Sequence, residues 1–131
     1  MTDRPLRAVL DTSAILRFIH GGDRSIGVGE TIAEINDEGA AFGLPVACMA
    51  EAWRAAGDGH PDLFQLLSEH EASALLRGPE DWQAVAAATD IAGRPDAAVA
   101  ALLAIDYDVP LLSTTPGLYA GFGDADLVIE V

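Results

Sequence analysis

A chain of 131 residues is the size of one ordinary domain, with room for a single hydrophobic core and none for a second catalytic module. Apolar residues make up 50% of it, too many for a disordered acidic tail. Seven basic residues against 21 acidic ones leave a net charge of −14. That balance excludes a basic nucleic-acid coat and requires any phosphate-bearing partner to be met locally, by a metal ion or by Arg.

All seven basic residues are Arg. The absence of Lys argues against a Walker A loop, Schiff-base or pyridoxal chemistry, and phospho-receiver or phosphatase sites that depend on a Lys cation. Cys48 is the single cysteine, so no disulfide framework or Cys-x-x-Cys clip is possible, and a cytoplasmic compartment is expected. Met1 to Arg7 is charged and not followed by an apolar run with a cleavage site. No apolar stretch is long enough to span a bilayer, so neither secretion nor membrane contact is expected.

In chain order, Ala8-Val9-Leu10 reads as a short buried strand, and Asp11-Thr12-Ser13 as a helix N-cap ahead of Ala14 to Ile19. Gly21-Gly22-Asp23 breaks that helix. The next places Val28, Ile32 and Ile35 on one face and Glu30, Glu34, Asp37 and Glu38 on the other, and Gly39 ends it. Gly43 to Ala47 suggests a second strand running into a helix through Glu51, Ala52, Trp53 and Ala56. After the Gly57-Asp58-Gly59 turn, Pro61 opens a helix with Leu63, Phe64, Leu66 and Leu67 as one buried stripe. Ala74-Leu75-Leu76 is a candidate third strand. Pro79-Glu80-Asp81 starts a helix with Trp82, Val85, Ala86 and Thr89 inward, ending near Gly93. The helix begun by Pro95-Asp96 is apolar nearly all round and should be buried. Val109 to Leu112 and Leu127 to Ile129 are the last strands, separated by a loop and short turn from Ser113.

Strands alternating with helices imply βα units and an α/β fold, a central parallel sheet of four to five strands flanked by helices, with ligands beyond the strands' carboxyl ends. Asp11 and the Ser113 to Thr115 loop follow strands, while Glu51 and Asp96 lie on helices that can face the same crevice. Three carboxylates in apolar surroundings call for a positive partner. Hard oxygen donors without His or Cys suit Mg²⁺ or Mn²⁺, which can activate water against a phosphodiester.

Val9-Leu10-Asp11-Thr12-Ser13-Ala14, the mid-chain Glu51 and Pro95-Asp96-Ala97-Ala98, in this order, resemble the PIN-domain family over nearly the whole chain. The likeness is greatest to its short bacterial members, the VapC-type toxins of toxin–antitoxin pairs. It implies a single PIN-like domain over residues 1–131 and a Mg²⁺-dependent endoribonuclease in which Asp11, Glu51 and Asp96 match the first three acids and hold the metal. It further implies RNA as substrate and a cognate antitoxin that masks the acidic crevice. The sequence departs from the family after the fourth strand. Where Thr-x-Asp is usual, it reads Ser113-Thr114-Thr115, so a hydroxyl replaces the fourth acid. Ser113 keeps the first hydroxyl, Tyr119 matches the aromatic that often follows, and Thr115 can orient a metal-bound water without supplying negative charge. Asp124 is a remote substitute beyond the Gly121-Phe122-Gly123 turn.

Arg17 and Arg54, each near a site segment, are candidate phosphate contacts. His20, His60 and His70 lack ligand spacing and read as surface histidines, Gly27-Val28-Gly29 as a helix start, and Trp53 and Trp82 as packing anchors. An apolar helical face makes a homodimer an expected assembly. The alternative to the ribonuclease is a catalytically impaired PIN-fold module that binds a protein partner, a reading favoured by Thr115 and the net charge. Haloacid-dehalogenase-like phosphatases also start with an Asp after the first strand, but their Asp-x-Asp pattern meets Ser13 here.

Overall fold

The computed structural model describes residues 4–131; Met1 to Asp3, the start of the charged stretch considered as a leader, lie outside the described residues. The elements are β1 (Leu6–Leu10), α1 (Thr12–His20), α2 (Ile26–Asp37), β2 (Ala41–Pro45), α3 (Val46–Ala56) and α4 (Pro61–Ser68). They continue with β3 (Ser73–Leu76), α5 (Trp82–Ala92), α6 (Pro95–Tyr107), β4 (Leu111–Ser113) and β5 (Val128–Glu130), with short 3-10 turns after α1, after α3 and before β5. The five strands form one sheet in the order β3-β2-β1-β4-β5, every neighbouring pair parallel. The fold is the α/β architecture that the alternation of strands and helices implies, at the upper end of the expected strand number. No helix among the described residues is long and apolar enough to cross a membrane.

β1 is the middle strand, and Ala8, Val9 and Leu10 are fully buried because a central parallel strand is covered on both faces. From β1 the chain winds outward in one direction through β2 and β3 and later returns to add β4 and β5 on the other side. The reversal lies between β1 and β4, where Leu10 pairs with Leu112, and this is where open α/β sheets form a crevice at their carboxyl edge.

β2 begins at Ala41, two residues earlier than its sequence pattern indicates, and all five of its residues are buried. Gly43 leaves room for the Leu76 side chain, whose Cδ1 would lie 2.5 Å from a Cβ at that position and would have to turn aside for any larger residue. Pro45 closes the strand and caps α3 in extended conformation. The helix α6 is buried along Ala97, Ala98, Ala100, Ala101, Leu103 and Ala104, and its five alanines let it press against α3, α5 and β1.

Three packing expectations are corrected. Trp82 is 73% exposed, because Asp81 caps α5 and the helix turns Ala88 and Ala92 inward instead; Ala86 is exposed with it. Leu66 faces outward while Phe64 and Leu67 are buried, so the α4 stripe is narrower than four residues. Trp53 is only partly packed: it meets Phe64 edge-on at 5.2 Å and covers Gly57, but is 47% exposed.

Candidate functional site

Asp11 leaves β1 in extended conformation and caps α1, its Oδ1 accepting from the Ala14 backbone N–H at 2.9 Å and from Ser13 Oγ at 2.6 Å. Its backbone N–H donates to the Leu112 carbonyl, which carries the β1–β4 pairing one step further and fixes Asp11 at the crevice. The other oxygen, Oδ2, accepts from Tyr119 Oη at 2.6 Å. Burial, and then the Asp11 charge, push the Tyr119 hydroxyl far above the usual phenol range, so it remains a donor. Asp11 is thereby 2% exposed yet fully hydrogen-bonded.

Asp96 is the second residue of α6, where the first-turn dipole favours an acid. Arg94 grips it in a fork, Nε to Oδ1 at 2.9 Å and Nη2 to Oδ2 at 3.0 Å, while Thr12 Oγ1 also donates to Oδ2. Burial works against this carboxylate, but Arg94 and Thr12 outweigh it and hold the Asp96 carboxyl below its ordinary value. The positive partner that a buried acid demands is thus supplied by the chain itself.

Glu51 lies on α3, half-buried, with Oε2 accepting from Arg54 Nη1 at 2.6 Å. Asp11, Glu51, Asp96 and Thr115 together line one cleft of about 370 Å³, whose walls also include Thr12, Ser13, Arg94 and Tyr119. The three acids expected from sequence therefore converge. Ser113 does not face the cleft: it is wholly buried behind it, with its Oγ 3.3 Å from both Ser13 Oγ and Thr115 Oγ1 and accepting from the Thr115 N–H at 2.9 Å. Its place is that of a support that holds the α1 start and the Thr115 loop together. Arg54, the other candidate phosphate contact on this side, has an exposed side chain whose guanidinium rests on Glu51.

The donor chemistry suits a hard divalent cation, because the cleft offers carboxylates and hydroxyls and no thiol or imidazole. As placed, the acids are not gathered into a cage: no group of three or more His, Cys, Asp or Glu able to hold a metal occurs among the described residues. Every buried side-chain nitrogen or oxygen among the described residues has a hydrogen-bond partner. A cation on Asp96 would take a place that Arg94 holds.

Arg94, Thr12 and Ser13 were not marked as site residues by the sequence. Thr12 and Ser13 read there as cap residues, and both extend their role across the cleft, Ser13 by accepting from the Thr114 N–H at 2.9 Å. Arg94 had one signal, its place immediately before Pro95-Asp96. Asp124 stays outside the cleft, where its side chain accepts from the Asp126 N–H. Of the histidines, His20 is exposed, with its ring 6.1 Å from that of half-buried His60, and His70 accepts from the Ala72 N–H beside Phe42.

No family model and no curated protein matches the sequence. Among solved structures, the fold is similar to that of PAE2754 from Pyrobaculum aerophilum, with a TM-score of 0.62 and 17% identity. The similarity covers 97% of this chain and 85% of that one, and at this identity it concerns the fold alone.

Proposed function

We propose that the cleft is the active site of a PIN-like endoribonuclease that hydrolyses RNA phosphodiester bonds with Mg²⁺ or Mn²⁺. The observation that carries this reading is the convergence of Asp11, Glu51 and Asp96, from three separate segments, at the reversal point of a parallel sheet. When bound, the cation would supply an activated water and offset charge on the phosphate. Asp11, Glu51 and Asp96 are the residues to hold it. Ser13 and Tyr119 fix the Asp11 carboxylate in place, and Thr12 does the same for Asp96. Thr115 offers a hydroxyl to orient water at the cleft rim. In this reading the protein is the cytoplasmic toxin of a toxin–antitoxin pair, a homodimer whose antitoxin covers the crevice.

The test is calorimetric titration with Mn²⁺ at neutral pH, with Asp11→Asn as control, followed by RNA cleavage by wild type and Asp96→Asn. Saturable binding lost in Asp11→Asn, and cleavage lost in a folded Asp96→Asn, are the expected results. Retained cleavage in Asp96→Asn overturns the assignment.

A second reading, an impaired PIN-fold module that acts through protein binding, is favoured by one observation: Arg94 and Arg54 already neutralise Asp96 and Glu51. Thr115→Asp separates the two. Cation binding and cleavage that appear only in Thr115→Asp support the impaired module, whereas an already active wild type refutes it.

A further inference from the structure

A second cavity, of about 340 Å³, opens along α1 beside the acidic cleft, and Ser13 and Leu16 line both. Ser13, Arg17 and His20 recur every three to four residues, so they form one stripe of α1 that leads from the acids into this cavity. One helical turn of about 5.4 Å separates successive members. Arg24, from the turn after α1, and Thr114, from the loop after β4, complete the wall, and no acid lines it. Two of the seven Arg in a chain of net charge −14 thus face one cavity. Arg7, Arg54 and Arg94 each sit on a carboxylate; among the described residues Arg17 and Arg24 make no such pair.

We propose that this cavity is a phosphate-binding subsite that holds the backbone of a single-stranded polynucleotide next to the acidic cleft. The proposal rests on the phosphodiester reading of that cleft. A guanidinium presents paired N–H donors that match two phosphate oxygens, and the Thr114 hydroxyl and His20 imidazole add further polar contacts. Elsewhere the acidic surface repels a polyanion, so the path is set where cations gather without acids. Asp11 and Asp96 are 2% and 8% exposed, so the phosphate backbone has to be led in to them, which a flexible single strand allows more readily than a stiff duplex. Neutralisation of the α1 dipole accounts for Arg17 and His20 in its last turn, but not for Arg24 or for the absence of acids.

The experiment is fluorescence anisotropy with a short labelled single-stranded RNA in EDTA at low salt, where no hydrolysis intervenes. Wild type binds; Arg17→Gln/Arg24→Gln weakens binding about tenfold or more at an unchanged melting curve. The log–log dependence on salt becomes shallower by about 0.7 for each phosphate that the variant no longer neutralises. Arg17→Lys/Arg24→Lys restores part of the affinity, since charge is kept and the fork is not. Failure of wild type to bind, or equal binding by the folded Gln variant, overturns the subsite. Displacement of the RNA by inorganic phosphate at comparable concentration overturns the polynucleotide in favour of a free phosphate ligand. RNA binding through Arg17 and Arg24 without cleavage in Mn²⁺ refutes the nuclease and leaves the subsite standing. Cleavage untouched by the Gln variant does the reverse.

Discussion

Arg94 and Asp96, two residues apart in sequence, face each other as fork and carboxylate at the start of α6, with N···O distances of 2.9 and 3.0 Å. The Arg94 side chain is 47% exposed and that of Asp96 only 9%, so the cation can swing into solvent and the acid cannot follow. If the cleft holds Mn²⁺ as proposed, Arg94→Gln is expected to raise its affinity about tenfold or more, because the two charge-assisted hydrogen bonds to Asp96 no longer compete. Calorimetry on the two proteins checks this, and lower affinity in the variant would show that Arg94 supports cation binding.

The same pair governs acid sensitivity. The folded Asp96 carboxyl titrates below its ordinary value, so as pH falls the unfolded chain takes up its proton first. Its stabilising contribution is complete above the ordinary aspartate range and is lost as pH falls through that range to the lowered folded value. In Asp96→Asn the acid limb of the stability curve should be flatter, as urea denaturation at a series of pH values would show. Equal acid limbs would sink the idea.

Cys48, on α3, donates to the Asp96 backbone carbonyl at 3.4 Å and has no exposed surface. Burial pushes its thiol up to about 12. At mildly alkaline pH the native protein should resist iodoacetamide and react only on unfolding. The raised value also makes the unfolded chain the stronger acid, so this contribution to stability is whole below 9.0 and drains away as pH rises towards about 12. Rapid labelling of folded protein by mass spectrometry would contradict both statements.

Tyr119→Phe deletes the donor on Asp11 Oδ2 and leaves a buried carboxylate oxygen without its partner. A loss of about 1–3 kcal/mol is expected from chemical denaturation. The Ser13 and Ala14 bonds to Oδ1 survive, so the helix cap and overall fold should persist in circular dichroism. No measurable loss would mean that water replaces the phenol.

The order of elements and the parallel sheet were legible because the buried strands are short apolar runs punctuated by caps and glycines. Asp11 was legible for the same reason: a strand that ends on Asp-Thr-Ser must deliver that acid to the carboxyl edge. Helix faces were harder to read. Trp82 and Leu66 fit an inward stripe by spacing, yet α5 and α4 are flanking helices whose narrow contact is made by Ala88 and Ala92, and by Phe64 and Leu67. Arg94 escaped because its role depends on its side chain folding over Asp96 two residues ahead, and no period or motif encodes that. The cavity beside α1 was half legible: Arg17 was marked, but Arg24 and Thr114 join it only through the tertiary fold.

The bonds that complete the cleft span most of the chain: Thr12 to Asp96, Ser13 to the Thr114 N–H and Tyr119 to Asp11 join residues 84, 101 and 108 positions apart. Loop closure over such separations is entropically costly and slows folding. During synthesis from the N-terminus, Asp11 emerges long before β4 and Tyr119 exist to enclose it. Any activity housed there is consequently silent in the growing chain, and a truncation before Leu111 should lose the cleft together with the fold, because Leu111, Leu112 and Tyr119 belong to the one buried core.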